Sequence, residues 1–290
     1  MKSYIKALML GTASIGMTAC TDLNIDLDTR YETLPDNPIA VEGEFNSCYR
    51  YLYSWFARDF NEAVVNQGDE IMGICYTIGN YYDDGRAING SIHSLTLNNW
   101  STRMIGGCME GITQCNSKIL AYGGPEHKDA IVAPVRAMRA YYHFWMMELY
   151  GDAPIIDHVV QEGERIDRQP RADVAKWIEG ELLEILNQED GLSKKNDAST
   201  YGKPNYWMAA SLLVKLYLNW GVYTNPVTTV TNDTPNEKLN DCVKWCDEII
   251  KSGIFEVGKG YRKKFFPDNG VHIKDFIYAH DVDPATKEDG

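Results

Sequence analysis

The stretch from Arg136 to Pro154 constrains the fold more than any other, because it joins an aromatic-rich helical pattern to an abrupt stop. Apolar residues recur here at alternating spacings of four and three, and so line one helical face: Ile131, Val135, Met138, Tyr142, Trp145 and Leu149. Gly151 can adopt the left-handed conformation that ends a helix, and Pro154 cannot continue one. The pattern predicts a helix over 129–150 whose apolar face needs a packing partner.

Most of the chain is predicted to be helical, with a polar, Gly-rich and aromatic stretch over 59–98 that is too irregular for a long helix. Helices are predicted over 39–56, 99–122, 129–150, 171–187, 205–223 and 237–252. Short loops join the second to the third and the fourth to the fifth, and the last lacks a mate. This order favours an all-α array of tetratricopeptide-like hairpins, with an irregular helical bundle as the alternative because no strict repeat length is kept.

The amino terminus has the pattern of a lipoprotein signal peptide. Lys2 and Lys6 precede an apolar run, and small residues stand just before Cys20. The run is shorter than the roughly 20 residues that a membrane-spanning helix needs. We expect residues 1–19 to be removed, the Cys20 thiol to carry a diacylglycerol, and residues 20–38 to form a tether before a folded region over 39–290. The alternative is an ordinary secretory signal in which Cys20 has no special role.

The charge balance argues against a nucleic-acid partner. The formal net charge is -13, and loss of Lys2 and Lys6 with the signal peptide shifts it to -15. Nucleic-acid phosphates would be repelled by such a protein. A neutral glycan is compatible with it.

Six cysteines remain beside Cys20, in a compartment where disulfides could form: Cys48, Cys75, Cys108, Cys115, Cys242 and Cys246. Their spacings match apolar helical faces, so we favour burial as small hydrophobic residues over disulfide or metal binding. No Cys-x-x-Cys or His-Glu-x-x-His spacing occurs. Neither a metal site nor a cofactor is predicted.

Arg139-Ala140-Tyr141-Tyr142 followed by Leu149-Tyr150-Gly151-Asp152-x-Pro154 resembles the SusD/RagB family of outer-membrane nutrient-binding lipoproteins. Segments 202–219, 242–255 and 275–278 are similar to further family motifs, with Lys203 and Asp275 as modest departures. The resemblance implies tetratricopeptide-like hairpins with an irregular, loop-rich ligand-binding subdomain. Family members usually continue well beyond this length. The resemblance therefore also implies that this sequence corresponds to the N-terminal portion of a family member, without the C-terminal portion.

The function implied by the resemblance is non-enzymatic. A lipid-anchored, surface-exposed outer-membrane protein would bind a glycan or peptide nutrient and deliver it to a TonB-dependent, SusC-like transporter. The alternative is a helical-repeat lipoprotein that binds a protein partner and no nutrient. A glycoside hydrolase is disfavoured, because adjacent Asp69 and Glu70 seldom achieve the opposed geometry of an acid and base pair.

A sugar site combines aromatic rings with polar side chains fixed on loops, and the segment from Arg58 to Trp100 has that composition. Its order is similar to that in the starch-binding family member, where an Arg, a Trp and an Asn contact glycan, although Tyr76 stands where Trp is expected. The candidate ligand-binding residues are Arg58, Asp69, Glu70, Tyr76, Asn80, Tyr81 and Tyr82. For each aromatic residue taken singly, packing within the loop is the alternative.

Overall fold

The structure, a computed structural model, describes residues 37–52 and 100–255, except for the side chains of residues 100–104. The chain divides into two compact units, Met1–Val41 and Glu42–Gly290. Of the first unit the description covers only residues 37–41, which open a helix. The helical hairpins lie in the second unit.

Helix α1 (Pro38–Leu52) begins where the Asn37 side-chain oxygen accepts a hydrogen bond from the Ile39 amide at 2.9 Å. Pro38 suits the first helical position because no amide partner is needed there. The predicted helix at 39–56 is therefore confirmed up to Leu52. Its residues 53–56 lie outside the described part.

Six further helices follow within residues 100–255, and they form a stacked array. They are α2 (Trp100–Tyr122), α3 (Ala133–Tyr150), α4 (Arg171–Asn187), α5 (Tyr206–Leu218), α6 (Trp220–Thr224) and α7 (Leu239–Lys251). Helix α3 packs between α2 and α4, α5 packs on α4, and α7 packs on α5. The all-α hairpin array predicted from the sequence is confirmed for these residues. Their one extended pairing is an antiparallel bridge between Ala153 and Gln169.

The predicted helix stops are present. Gly151 has φ +79°, and its amide donates to the Met147 carbonyl at 2.8 Å. Gly253 has φ +67° and donates to the Ile250 carbonyl at 3.3 Å. A glycine adopts this conformation without the steric cost that a Cβ brings, which explains why both helices end where they do. The predicted helix 205–223 is instead interrupted at Asn219, which separates α5 from α6.

One residue of the predicted apolar face is misplaced. Ile131 is exposed, and its neighbour Val132 is fully buried. The reason is that Ala130–Val132 is a short 3₁₀ helix, so the register of side chains changes before α3 begins at Ala133. Within α3, Tyr142 and Trp145 are buried as predicted and Leu149 is half-buried.

The predicted burial is confirmed for four of the cysteines in the described residues. Cys48, Cys108, Cys115 and Cys242 are buried thiols, and Cys246 is half-buried. Cys20 and Cys75 lie outside the described ranges.

Tyr142 joins three helices. Its hydroxyl donates to the Cys48 carbonyl of α1 at 2.8 Å, and its ring lies directly over Gly111 of α2. A Cβ added at Gly111 would collide with that ring, whereas one added at Gly106 of the same helix would meet nothing. Gly111 therefore sets how closely α2 and α3 approach.

We expect Gly111→Ala to lower the free energy of unfolding by about 1–3 kcal/mol, because the ring or the helix must move to admit the methyl group. Gly106→Ala is the matched control, since alanine in an open helical position is neutral or stabilises by up to about 1 kcal/mol. Urea denaturation of the two full-length variants measures the difference. Equal stabilities would contradict the close approach.

Candidate functional site

The predicted ligand-binding residues lie in the segment between α1 and α2. That segment, residues 53–99, is outside the described residues and includes Arg58, Asp69, Glu70, Tyr76, Asn80, Tyr81 and Tyr82. The lipidation candidate Cys20 is outside them as well. All of these assignments stay predictions, and the structure describes the frame from which the segment departs and to which it returns.

Helices α1 and α2 form this frame and run antiparallel. Glu44 of α1 pairs with Lys118 of α2 at 2.6 Å. One helical turn beyond Cys48, the Tyr51 hydroxyl donates to Glu110 at 3.4 Å. As the residue number increases along α1, the number of its partner in α2 decreases, which makes the two helices antiparallel. Leu52, the last residue of α1, and Trp100, the first residue of α2, therefore lie at the same end of the pair.

A buried ionic cluster lies on the other side of α3. Arg136 and Arg139 are only 1% and 5% exposed, and both bind Glu181 of α4, at 2.8 and 2.7 Å. Arg136 also reaches Glu184 at 3.0 Å. Burial alone would raise the pKa of Glu181, but the two guanidinium groups outweigh it and hold that pKa below the ordinary value. The carboxylate therefore stays charged between two positive groups.

Arg139 and Asn116 fasten the loop between α3 and α4. Arg139 Nη1 donates to Asn116 Oδ1 at 2.9 Å and to the Asp157 carbonyl at 2.7 Å. Asn116 Nδ2 in turn donates to the carbonyls of Ile156 and His158, at 3.0 and 2.8 Å. The loop backbone is thus hydrogen-bonded to side chains of α2 and α3.

His143 completes the attachment as a neutral ring. The Ile156 amide donates to its Nε2 at 3.0 Å, so Nδ1 carries the proton and donates to the Arg139 carbonyl at 2.8 Å. The ring also lies against Trp177, with centroids 4.4 Å apart. Complete burial, together with nearby Arg139, lowers the pKa of His143 to about 4.

Solved structures share this arrangement of helices. A SusD-like protein from Bacteroides fragilis NCTC 9343 aligns over 83% of this chain with a TM-score of 0.60 and 16% identity. A SusD superfamily protein from Parabacteroides distasonis ATCC 8503 aligns over 80% with a TM-score of 0.59 and 22% identity. The chain has a SusD-like fold. No family model matches the sequence, and no curated protein matches it significantly.

A third match is a structure determined with a xylogluco-oligosaccharide, at a TM-score of 0.58 and 18% identity over 82% of this chain. The chain spans less than half of the length of these proteins, namely 44%, 48% and 45% in the order given. The resemblance predicted from the sequence motifs is therefore confirmed as a likeness of fold.

The described residues of this SusD-like fold line two cavities that the sequence did not predict. A cavity of about 360 Å³ is lined by Met109, Met146, Tyr150, Pro154 and Arg168, and a second of about 560 Å³ lies along residues 185–194. Among the described residues, no three His, Cys, Asp or Glu side chains could together hold a metal ion.

Sequence reasoning missed the ionic cluster, although a signal for it exists. Arg136 and Arg139 are three apart within an otherwise apolar helix, and Glu181 and Glu184 are three apart on the next helix. Charges at this spacing share a helical face, so each pair could have been matched with the other. The cluster positions the SusD-like helices and the 151–170 loop.

No helix in the described ranges combines the length and the apolar character needed to cross a bilayer.

We expect Glu181→Gln to destabilise the protein by roughly 3–5 kcal/mol, because two buried arginines would lose their shared carboxylate. Glu184→Gln is the control, since Glu184 lies on the same helix and contacts the same Arg136 but its side chain is 41% exposed. Its loss should be below about 1 kcal/mol. Denaturant titration at neutral pH compares the two, and losses of equal size would show that Glu181 has no special role.

His143 should make stability depend on pH. Between its ordinary pKa of 6.5 and its folded pKa of about 4, the unfolded chain binds a proton that the folded protein does not. The free energy of unfolding should therefore fall as pH is lowered through this window, by up to roughly 3 kcal/mol, and this contribution should level off below it.

The comparison of wild type with His143→Gln isolates this contribution. The variant should lose less stability between pH 6.5 and 4 than wild type does. His158→Gln is the control, because hydrogen bonds to Asp157 and Glu164 raise the pKa of exposed His158 and give it the opposite sign. Identical pH profiles for wild type and His143→Gln would refute the assignment.

Proposed function

We propose that this chain binds a glycan as a nutrient, within a surface lipoprotein that passes it to a TonB-dependent, SusC-like transporter. The observation that carries the proposal is the SusD-like fold, shared with a protein whose structure was determined with a xylogluco-oligosaccharide. Another match, at a TM-score of 0.54, is a laminarin-binding SusD-like protein. Both ligands are glycans, which favours a glycan over a peptide for this chain.

The proposed site is the segment that carries Arg58, Asp69, Glu70, Tyr76, Asn80, Tyr81 and Tyr82. Tyrosine rings offer flat faces for the C–H surfaces of a sugar, and the carboxylate, amide and guanidinium groups can hydrogen-bond its hydroxyls. Helices α1 and α2 hold the two ends of this segment through the Glu44–Lys118 ion pair and the Tyr142 hydroxyl. In this proposal a stable pair of helices presents the binding residues, and no covalent bond is made or broken.

Delivery requires the protein to stay beside its transporter. A diacylglycerol on Cys20, followed by the tether over 20–38, would anchor it to the outer membrane while leaving the helical array free of the bilayer. The lysines, the apolar run and the small residues before Cys20 support this anchor. The acidic net charge suits an uncharged ligand and disfavours nucleic acid.

One observation favours the alternative, a lipoprotein that binds a protein partner. Leu239, Val243 and Ile250 are exposed on α7. Their spacings of four and seven put them on one face of the helix. A second helix could pack on this stripe, as α7 itself packs on α5. A partner protein would then take the place of a nutrient.

The test is calorimetric titration of the full chain with xyloglucan oligosaccharides and laminarin oligosaccharides. Tyr76→Ala or Tyr81→Ala should weaken binding by about 1–3 kcal/mol, the loss expected for one stacking or well-placed polar contact. Tyr201→Ala is the matched control, because Tyr201 is an exposed tyrosine on the turn between α4 and α5. Its affinity should equal that of wild type, and circular dichroism should show unchanged helix content in all three variants.

Two outcomes would count against the proposal. Unchanged affinity in both Tyr76→Ala and Tyr81→Ala would place the site elsewhere in the protein. Binding of no glycan in the panel, together with loss of a protein partner on Val243→Glu, would favour the alternative.

A further inference from the structure

Cys48 of α1 and Cys115 of α2 are two buried thiols on neighbouring helices. Both residues are fully buried. They lie 67 positions apart in the sequence and on different helices, so nothing in their spacing marks them as partners. The fold alone brings them together.

The contacts on either side hold the two thiols opposite each other. Glu44, one turn before Cys48, pairs with Lys118, one turn after Cys115. On the far side, Tyr51 reaches Glu110. Cys48 and Cys115 thus lie between these two contacts in an antiparallel helix pair. Side-chain contacts on both sides of the two thiols therefore hold α1 against α2 at this level.

We propose that Cys48 and Cys115 form an interhelical disulfide when the protein folds in the presence of a disulfide oxidant. The bond would close residues 49–114 into a covalent loop, and that loop contains all seven candidate ligand-binding residues. A cross-link of this kind stabilises chiefly by restricting the unfolded chain, and the effect grows with loop length. It would fasten α1 to α2 where the binding segment begins and ends.

The exchange needs one thiolate at a time. Either thiol, once deprotonated, attacks a sulfur of the oxidant, which releases one thiol and leaves a mixed disulfide. The other cysteine then loses its proton and attacks the protein sulfur of that mixed disulfide, which releases the second thiol. The pair gives up two electrons and two protons, and the oxidant's disulfide becomes two thiols.

Burial decides when this exchange can occur. Neither sulfur is exposed, so an oxidant reaches them only while α1 is apart from α2. The bond would form as the two helices assemble and would then be shielded from reductants. Cys242 and Cys246 are a second pair of nearby thiols, but both lie in α7 and a bond between them would close only one helical turn.

The experiment folds the full chain in a buffer of reduced and oxidised glutathione, blocks the remaining thiols with iodoacetamide, and maps the digested peptides by mass spectrometry. We expect a cross-linked peptide that joins Cys48 to Cys115 and is lighter than the two thiol peptides by two hydrogen atoms. The oxidised protein should melt about 5–10 °C above the reduced protein. Cys115→Ala should abolish this difference, and Cys242→Ala, which also removes a buried thiol, should preserve it.

Several outcomes would overturn the proposal. Alkylation of both Cys48 and Cys115 would show that the pair stays reduced, and glutathione attached to Cys48 would show that Cys115 fails to complete the exchange. A bond from either residue to Cys75 or Cys108 would show that the wrong partner was assigned. The peptide map uses the wild-type chain, so it decides the question even if Cys115→Ala does not fold.

Discussion

Two arginines in the middle of a packed helical array need a carboxylate, and the position of Glu181 between them determines how α3 and α4 meet. Helix α3 is buried on nearly all sides because α2 packs on one face and α4 on the other. Apolar side chains can tolerate small shifts at such contacts, whereas a buried guanidinium without its partner is strongly unfavourable. The ionic cluster therefore selects one relative position of the two helices among the several that apolar packing would permit.

The same cluster connects the array to its longest described loop. Arg139 extends from Glu181 to Asn116 and to the backbone of residues 156–158, and neutral His143 holds the Ile156 amide. On the opposite face, Tyr142 crosses Gly111 to reach α1. Residues 136–143 of one helix thus position α1, α2, α4 and the 151–170 loop. A substitution in this stretch affects several neighbouring elements at once, which explains why it constrains the fold more than any other part of the sequence.

The sequence predicted what depends on local order and apolar periodicity. The helix stops at Gly151 and Gly253 follow from backbone sterics, and the burial of Tyr142 and Trp145 follows from their spacing. The pairing of Arg139 with Glu181 joins residues far apart in sequence, so periodicity within one helix could not reveal it. Ile131 was misplaced because a 3₁₀ turn changed the side-chain register over only three residues. The candidate ligand residues were drawn from composition and resemblance, and they remain predictions.

The contacts that fix the described helices are separate in sequence from the proposed binding residues. The ion pairs and hydrogen bonds named above join residues of the described helices and of the 151–170 loop. The proposed binding residues lie between α1 and α2 in sequence, outside the described residues. Under the proposed function, helices fixed by their own buried charges would present a binding segment whose side chains could differ between ligands, because one fold can carry different sites.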